Sequence, residues 1–592
     1  MRELWGLYKE VLGAISPSAR SFLIWYAVLL GLLSIIDALA LGFLAILIAP
    51  VAVGETVSLP LLGELNTAQV FIAIGALCLI IILKGFASLG VLFWGYRRCE
   101  NYEIELGSRL FSAYIRSPWE MRIARNSSDI VRFTDGSVAT MVNSFLVPGA
   151  TLLSEGLSFL SILVVLAVAQ PATAAMTLVY LGLIGILLYL LVARRARLAG
   201  EVNLRFAVLT SRLILGMVQS MKEIALRGKL DEVGGIVEAS RRRATRARAN
   251  IMFLGQVPRY ALESGIIGGF VLIGLVGFWV GGAAGALTSV ALFSVAGFRM
   301  APAVVRTQSV LSEMTANAPH ARVVLDEIAA SEKASEEFDS ANQQPLQANP
   351  QRLTFEDVTF TYKGAPEPAL KRLSLSIEMG TTVAFVGPSG SGKSTLIDMV
   401  LGFLQPRSGS VRLDDVPLVD VTESWRPRLG YVPQDVSIFD GTVAENVALS
   451  WSGEYDEQAV KKALGQARLL ETIEARPGGL NAKVGERGLA LSGGQRQRLG
   501  IARALYPEPL VLVMDEATSA LDTKTEAEVN DAIAGLRGKT TLILVAHRLS
   551  TIMQADTIFY MRDGKVVDQG TFDELIERVP DFAHQAQLSG LA

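Results

Sequence analysis

The sequence predicts a multi-domain membrane protein, in which an all-α transmembrane domain of six spanning helices is followed by an α/β domain. Of its 592 residues 51% are hydrophobic, and the mean hydropathy is +0.39. A soluble chain of this length cannot hide so much apolar surface from water. The first half concentrates apolar residues in long runs, whereas the second half alternates strand-length apolar runs with helical patterns.

Six apolar runs account for the first half, each near the ~20 residues that a spanning helix needs. They cover residues 21–49, 70–95, 143–168, 172–193, 257–281 and 287–309. The connecting loops 50–69, 169–171 and 282–286 contain no Lys or Arg, whereas the intervals 96–142 and 194–256 contain many. The positive-inside rule therefore predicts that both termini lie in the cytoplasm. We expect a multi-pass protein of the plasma (inner) membrane.

Composition divides the chain into four parts. Residues 1–20 predict an amphipathic interfacial helix, and residues 21–333 a transmembrane domain whose helices extend into the cytoplasm. Residues 334–350 are polar and predict a linker before the α/β domain at 351–592.

Two turns in the cytoplasmic extensions, around residues 118–129 and 219–228, are candidates for contact with another domain. The formal charge of −3 lacks the basic excess that nucleic-acid binding requires, so no nucleic-acid partner is expected. The two cysteines, Cys78 and Cys99, support neither a disulfide framework nor a zinc site.

A glycine-rich loop follows the predicted strand 382–386 and precedes a helical pattern, which is the context of a phosphate-binding P-loop. Its residues are Gly387, Pro388, Ser389, Gly390, Ser391, Gly392, Lys393, Ser394 and Thr395. In such a loop backbone N–H groups surround the phosphates of ATP, Lys393 reaches the β- and γ-phosphates, and Ser394 ligates Mg²⁺. A chance glycine-rich turn is the alternative, which this context disfavours.

Two adjacent acids follow the apolar strand pattern at 510–514. Asp515 and Glu516 are thus expected at the carboxyl edge of the sheet, where open α/β sheets bind ligands. Asp515 is predicted to hold Mg²⁺ through water, and Glu516 to polarise the attacking water. An exposed acidic turn with no such role is the alternative.

The run Leu-Ser-Gly-Gly-Gln at residues 491–495 is the signature sequence of ATP-binding cassette (ABC) proteins, and the α/β domain resembles that family over its whole length. The motifs occur in the family's order: Tyr362, the P-loop at 387–395, Gln434, Val-Gly-Glu-Arg-Gly at 484–488, the signature, Asp515 and Glu516, Ser-Ala-Leu-Asp at 519–522, and His547. The resemblance implies an ABC nucleotide-binding domain with ATP and Mg²⁺ as cofactors.

The same resemblance implies individual roles. Tyr362 would stack on the adenine, with packing at the sheet edge as the alternative. Gln434 would sense Mg²⁺ and the γ-phosphate, and His547 would contact the γ-phosphate unless it is a buried structural histidine. Asp522 would bridge two sites, because each ATP would lie between the P-loop of one subunit and the signature of the other. The signature residues in this composite site would be Ser492, Gly493, Gly494 and Gln495, so a dimer is required.

Six helices ahead of a cassette resemble the type IV ABC exporters, which implies that the fourth and fifth spanning helices exchange with the partner subunit. We count six ionisable residues in the predicted spans: Asp37, Lys84, Glu155, Arg259, Glu263 and Arg299. Such residues are costly in hydrocarbon and usually face a cavity or a partner. Mutual neutralisation of three acids and three bases is the first alternative.

The second alternative comes from a looser resemblance of the membrane domain to lipid-linked oligosaccharide flippases, carried by Val-Pro-Arg at 257–259 with Glu263, by Phe-Arg at 298–299, and by Lys84. It implies that Lys84, Arg259 and Arg299 form a basic belt that meets a lipid pyrophosphate. The chain departs from these flippases at residues 50–69, where a short external helix is not predicted.

Together these patterns predict a homodimeric ABC exporter ATPase or flippase that moves an amphipathic, anionic, lipid-linked substrate. A multidrug, lipid or peptide exporter is the alternative, and a heterodimer stays open. A non-hydrolysing, ATP-gated regulatory cassette protein is a third reading, which Glu516, Ser492 and His547 disfavour.

Overall fold

A computed structural model of the chain describes residues 1–53, 57–59, 63–65, 67–169, 171–339, 343–347, 349–485, 488–516, 526, 531, 533–545, 549–589 and 591. The chain separates into two compact units, the first comprising Met1–Ser117 with Arg122–Glu336, and the second Pro118–Met121 with Glu337–Ala592. The first is helical and the second is α/β, so the predicted fold class is confirmed.

The first unit is built from long helices. Its α-helices are Arg2–Ala14, Pro17–Val53, Thr67–Arg116, Ser127–Val131, Val138–Met141, Val147–Ala169, Pro171–Gln219, Met221–Leu226 and Leu230–Asp339, with π-helical turns at Arg132–Ser137 and Val142–Leu146. The residues of the short helix Trp119–Ile123 are divided between the two units. Five windows in the described residues are long and apolar enough to cross a membrane: Pro17–Ile36, Ala68–Arg116, Ser127–Val164, Ala174–Gln219 and Leu230–Trp279.

The last helix contains the break between the predicted fifth and sixth spans. Gly281 and Gly282 have φ angles of −138° and +63°, neither of them helical. The positive φ of Gly282 lies in the left-handed region that glycine adopts without a Cβ clash. The turn therefore falls at the start of the predicted loop 282–286, and the predicted sixth span, 287–309, lies in the remainder of Leu230–Asp339.

Small residues let two of the long helices approach closely. A Cβ added to Gly200, on Pro171–Gln219, would lie 1.9 Å from the carbonyl oxygen of Ala316 on Leu230–Asp339. A Cβ on Gly269 would lie 2.5 Å from the ring of Phe293. Such contacts are typical of membrane helices, in which small residues allow backbones to pack against their neighbours.

The segment after the predicted first span contains two paired strands. Strands Val57–Leu59 and Gly63–Leu65 pair antiparallel, and no helix occurs in the described part of 54–66. At the other end of that span, the amphipathic helix Arg2–Ala14 buries Leu7, Tyr8 and Val11 against the rest of the first unit.

The second unit contains two sheets. A six-stranded sheet has the order Lys565–Gly570, Thr557–Arg562, Thr382–Val386, Thr541–Val545, Val511–Asp515 and Leu429–Val432, and all its neighbours are parallel except the first two strands. An antiparallel four-stranded sheet has the order Leu370–Glu378, Arg352–Phe360, Ser408–Leu413 and Val416–Pro417.

Helices cover these sheets. They are Lys393–Val400, Thr422–Trp425, Val443–Ala448, Glu457–Gln466, Leu470–Glu474, Gly493–Leu505, Phe572–Arg578 and Pro580–Leu588, with 3₁₀ turns at Leu418–Val421, Arg426–Arg428, Gly479–Asn481 and Leu549–Thr551. The strands Thr382–Val386 and Thr541–Val545 are buried along their whole length. Because parallel neighbours end at the same edge, the loops after Thr382–Val386, Val511–Asp515 and Leu429–Val432 meet there, and that edge carries the candidate site.

Candidate active site

The loop after Thr382–Val386 has the backbone that its glycines predict. Gly387, Gly390 and Gly392 have positive φ angles of 151°, 80° and 98°. A Cβ on Gly387 would lie 2.0 Å from the carbonyl oxygen of Met561, so no larger residue fits there. Gly392 caps the helix Lys393–Val400, whose first N–H groups therefore point back into the loop, as an anion site requires.

Lys393 lies inside this loop, with only 7% of the residue exposed. Its Nζ donates to the carbonyl oxygens of Gly387 at 2.7 Å and Pro388 at 3.0 Å. Burial lowers the pKa of Lys393, and the carboxylates of Glu516 and Asp515 oppose that shift. The ammonium group is thus held at the loop's centre, near both acids that the sequence singles out.

The two acids end the strand Val511–Asp515 and begin the following turn. Asp515 is level with Val545 on the neighbouring strand, and the N–H of Glu516 donates to the carbonyl oxygen of Val545 at 3.0 Å. Glu516 has a φ of +50°, which is uncommon for a residue with a side chain and frequent at functional sites. The sheet therefore fixes the direction in which this carboxylate leaves the strand.

Gln434 joins Glu516 directly. Its Nε2 donates to Glu516 Oε2 at 2.8 Å, which ties the loop after Leu429–Val432 to the end of Val511–Asp515. Because the amide nitrogen is bonded to Glu516, the amide oxygen is the atom that Gln434 can offer to Mg²⁺. With the Asp515 carboxylate and the exposed hydroxyl of Ser394, it makes a set of oxygen donors that suits Mg²⁺.

Tyr362 contacts the phosphate-binding helix instead of standing alone at the sheet edge. Its hydroxyl lies 3.1 Å from Thr395 Oγ1, and its ring packs edge-on against Phe360 with centroids 4.9 Å apart. Burial raises the pKa of Tyr362, and the hydrogen bond to Thr395 opposes that shift. Packing therefore accounts for one edge of the ring, while its role toward adenine stays a prediction.

The signature residues form the start of the helix Gly493–Leu505. Ser492 Oγ accepts from the N–H of Gln495 at 3.2 Å, and Gln495 Oε1 accepts from the N–H of Ser492 at 3.1 Å. This reciprocal capping box orders the helix start, and Ser492 and Gly493 are exposed there. The exposed end presents N–H donors and a positive helix dipole to any anion that approaches it.

Four predicted residues have no described side chain. Asp522 and His547 lie outside the described residues, as do the side chains of Asp37 and Arg299 in the spans. Of the exporter-type run at 484–488, residues 486 and 487 lie outside as well. The roles of Asp522, His547 and Arg299 stay predictions.

A tryptophan contact in the second unit was not predicted. Trp119 stacks on Phe403 with centroids 5.1 Å apart, and its indole N–H donates to Asp398 on the helix Lys393–Val400. The neighbouring Glu120 pairs with Arg407 at 2.8 Å. The sequence predicts that the turn at 118–129 contacts another domain. The large apolar side chain of Trp119 within this polar turn is the further signal that could have identified the contacting residue.

One ion pair of the predicted spans involves a residue that the sequence analysis did not include. Arg306 lies within the predicted span 287–309, so the spans contain seven charged residues and not six. Glu155 forms an ion pair with Arg306 at 2.8 Å, and Arg259 forms one with Glu263 at 3.1 Å. Lys84 lies half-buried on Thr67–Arg116.

Comparison with known proteins defines the class. Residues 370–519 match the ABC transporter family. The chain superposes on the structure of a bacterial Atm1-family ABC exporter with ATP bound over 96% of its own length and 98% of that chain, with a TM-score of 0.78 and 23% identity. At that identity the likeness shows the fold. The match of residues 370–519 is thus to the ABC transporter family, and the chain has the fold of an ABC exporter half-transporter.

Several bacterial lipid flippases are more similar in sequence to this chain than that exporter is. The ATP-dependent lipid A-core flippase of Idiomarina loihiensis is 42% identical over 243 residues, which are 40% of this chain and 42% of that protein. The protein of the same name from Vibrio cholerae is 44% identical over 228 residues, 38% of this chain and 39% of that one. The chain thus spans about two fifths of the length of the curated relatives it matches.

Proposed function

We propose that the chain is one half of an ATP-hydrolysing exporter, which works as a homodimer and moves an anionic, lipid-linked amphiphile out of the cytoplasmic leaflet. The observation that supports hydrolysis most directly is the bond between Gln434 and Glu516 beside the buried Lys393. It gathers a phosphate-binding ammonium, a carboxylate and an amide at one edge of the sheet.

The chemistry follows from these positions. Lys393 exchanges its carbonyl partners for phosphate oxygens, because a charged acceptor binds an ammonium more strongly than a peptide carbonyl does. Gln434 fixes the orientation of the Glu516 carboxylate, which accepts a hydrogen bond from the attacking water and aims it at the γ-phosphate. Mg²⁺, when bound by Ser394, Asp515 and Gln434, neutralises charge on the phosphates.

Hydrolysis is tested by Glu516→Gln, which preserves shape and removes the negative charge. We expect ATP binding to persist and the hydrolysis rate to fall by roughly 10²- to 10⁴-fold, the usual contribution of a general base. The matched control is Glu508→Gln, because Glu508 also has a positive φ, of 51°, but lies on the surface paired with Lys462. Near-normal turnover in Glu516→Gln would reject this carboxylate and favour the regulatory-cassette alternative.

The homodimer is supported by the exposed start of the helix Gly493–Leu505, which offers donors to a nucleotide on another subunit. Mixed dimers of a Ser492→Arg subunit with a Lys393→Ala subunit test this arrangement. If each site combines Lys393 of one subunit with Ser492 of the other, the mixed dimer keeps one intact site while both parent homodimers have none. Loss of all activity in the mixed dimer would show that both residues serve the same subunit's site.

The substrate class is supported by the excess of basic residues in the spans and by the names of the lipid A-core flippases, which are similar over about two fifths of their length. The test is ATPase stimulation in liposomes by a polyprenyl pyrophosphate, with a hydrophobic dye and an apolar peptide as competing probes. Lys84→Ala, Arg259→Ala and Arg299→Ala should abolish stimulation by the pyrophosphate and leave the basal rate unchanged. Stimulation by the dye or the peptide alone would favour the multidrug or peptide alternative.

A further inference from the structure

A groove in the first unit has no part in the function described so far. It lies between the helices Pro171–Gln219 and Leu230–Asp339 and has a volume of about 580 Å³, within the range of ligand pockets. Its lining is Arg195, Leu198, Ala199, Val202, Phe206, Arg243, Arg246, Ala247, Asn250, Phe253 and Leu254. The lining thus combines three guanidinium groups with an apolar wall, and no acidic residue of the described chain belongs to it.

The three arginines of the groove lack the ion pairs that two nearby arginines form. Arg197 is paired with Glu3 and Glu201, and Arg242 is paired with Glu238. None of Arg195, Arg243 and Arg246 forms an ion pair with a described carboxylate. Three like charges converging on one groove repel each other, and a bound anion relieves that repulsion.

The apolar wall is exposed although it lies beyond the predicted spans. Leu198 and Phe253 are 53% and 68% exposed, and Arg243 lies over the ring of Phe206 at 5.1 Å from its centroid. Exposed apolar side chains beside unpaired arginines fit a ligand with both an apolar part and an anionic part. An inorganic anion would bind the arginines but would not contact the apolar side chains.

The length of the groove sets a minimum length for the headgroup of that ligand. Arg195 lies two residues beyond the predicted span 172–193, whereas Arg243 lies 14 residues before the span 257–281, or about 20 Å from the hydrocarbon at ~1.5 Å per residue. The headgroup layer of a leaflet is only about 5–8 Å thick. A second cavity shares Arg243 and Arg246, and its other lining residues, Gly235, Glu238, Ala239 and Arg242, come earlier on the same helix. A phosphorylated headgroup must therefore be long to reach all three arginines.

We propose that this groove binds the elongated, phosphorylated headgroup of a membrane amphiphile and holds it at the cytoplasmic surface before transport. The substrate role of the groove rests on the proposed function. A phospholipid with a short headgroup in the same leaflet offers the same phosphate chemistry. The experiment therefore distinguishes binding of such a phospholipid from binding of the amphiphile with the elongated headgroup.

The experiment uses the full-length protein in phosphatidylcholine nanodiscs that contain equal mole fractions of a polyprenyl pyrophosphate bearing an oligosaccharide and of phosphatidylglycerol. Phe253→p-benzoylphenylalanine places a photocrosslinker on the apolar wall, and intact-protein mass identifies the lipid it captures. The matched position is Met252, which is 70% exposed, adjacent in sequence and not part of the groove.

We expect adducts of the pyrophosphate lipid at position 253 and few at position 252. Arg195→Gln, Arg243→Gln and Arg246→Gln should each raise the half-saturating lipid concentration for crosslinking about tenfold, since each removes a charge-assisted contact. Arg241→Gln, an exposed neighbour outside the groove, should leave this concentration unchanged.

Several outcomes would overturn the proposal. Crosslinking that is equal at positions 252 and 253, or insensitive to the three arginines, means that the groove binds no headgroup. Capture of phosphatidylglycerol at equal yield removes the role in transport, and capture of a second copy of the chain means that the partner subunit covers the groove.

The groove and the proposed function can fail separately. If the pyrophosphate lipid gives the arginine-dependent adduct without stimulating ATPase, the proposed substrate is wrong and the headgroup site stands. If it stimulates ATPase without an adduct at position 253, the proposed function stands and the groove is not involved.

Discussion

Asp398 offers a quantitative test of the phosphate-binding helix. Burial raises the pKa of its carboxyl from 3.8 to about 6, the charge of Asp515 acts in the same direction, and the hydrogen bond from Trp119 opposes both. Because the folded-state pKa lies above the unfolded-state value, folding takes up a proton in this interval. The group costs no stability below pH 4, and its cost grows as the pH rises and is complete above about 6.

The magnitude follows from the shift. About two pH units at 1.36 kcal/mol each give nearly 3 kcal/mol, and solvent screening of the partly exposed carboxyl reduces this to about 2 kcal/mol. Asp398→Asn removes the charge and keeps an oxygen that can accept from Trp119. We therefore expect the variant to be about 2 kcal/mol more stable than the wild type at pH 8, and the difference to disappear near pH 4.

Thermal unfolding of the full-length protein in detergent, followed from pH 4 to 8, measures this effect. A gain of about 2 kcal/mol corresponds to a rise in Tm of roughly 4–8 °C for a unit of this size. Asp415→Asn is the control, because that side chain is exposed in the same unit. A Tm difference that does not change with pH, or a less stable variant at pH 8, would refute the argument from burial.

Two further predictions concern the first unit. His320 is buried with Nδ1 3.2 Å from Ser137 Oγ, and burial with the nearby Arg132 lowers its pKa to about 4. Its contribution to stability is complete above pH 6.5 and is lost as the pH falls toward 4, so His320→Gln should reduce the loss of Tm between pH 7 and 5. Gly200→Ala forces a methyl group onto a neighbouring carbonyl and should cost about 1–3 kcal/mol, measured as a lower Tm, whereas Gly216→Ala, on the same helix with open space, should not destabilise.

Much of the fold was predictable because its signals are local. The strand Thr382–Val386 occurs where it is predicted, and the strand predicted at 510–514 occurs at Val511–Asp515. The break at Gly281 and Gly282 adjoins the uncharged loop that separates two spans. Hydrophobic runs and glycine positions are properties of neighbouring residues, so one sequence is sufficient to read them.

The pairings across the chain were not predictable in this way. Gln434 and Glu516 are 82 residues apart, and only the parallel alignment of their strands brings the two side chains together. The Trp119 contact with Asp398 likewise depends on which surface a short turn reaches. Motif order suggested that Gln434 and Glu516 act at one site, but a hydrogen bond between them is a property of the sheet register.

The ion pairs Glu155–Arg306 and Arg259–Glu263 differ in burial, which distinguishes a structural ion pair from the one proposed to bind substrate. Glu155 has a side chain only 17% exposed, whereas the side chains of Arg259 and Glu263 are 59% and 56% exposed. Arg306→Ala would leave a nearly buried carboxylate without its cation, at a cost of about 3 kcal/mol or more. Arg259→Ala leaves a largely exposed carboxylate at Glu263 and should therefore affect stability much less.

Substitution of Arg306 and of Arg259 should therefore have different effects. We expect Arg306→Ala to lower the Tm and the yield of folded protein, and the double variant Glu155→Gln with Arg306→Gln to restore both, because it leaves no unpaired charge. Arg259→Ala should keep the wild-type Tm and lose stimulation by the pyrophosphate lipid. If Arg306→Ala is as stable as the wild type, the ion pair is not structural, and Arg306 would then join the residues to be tested for substrate binding.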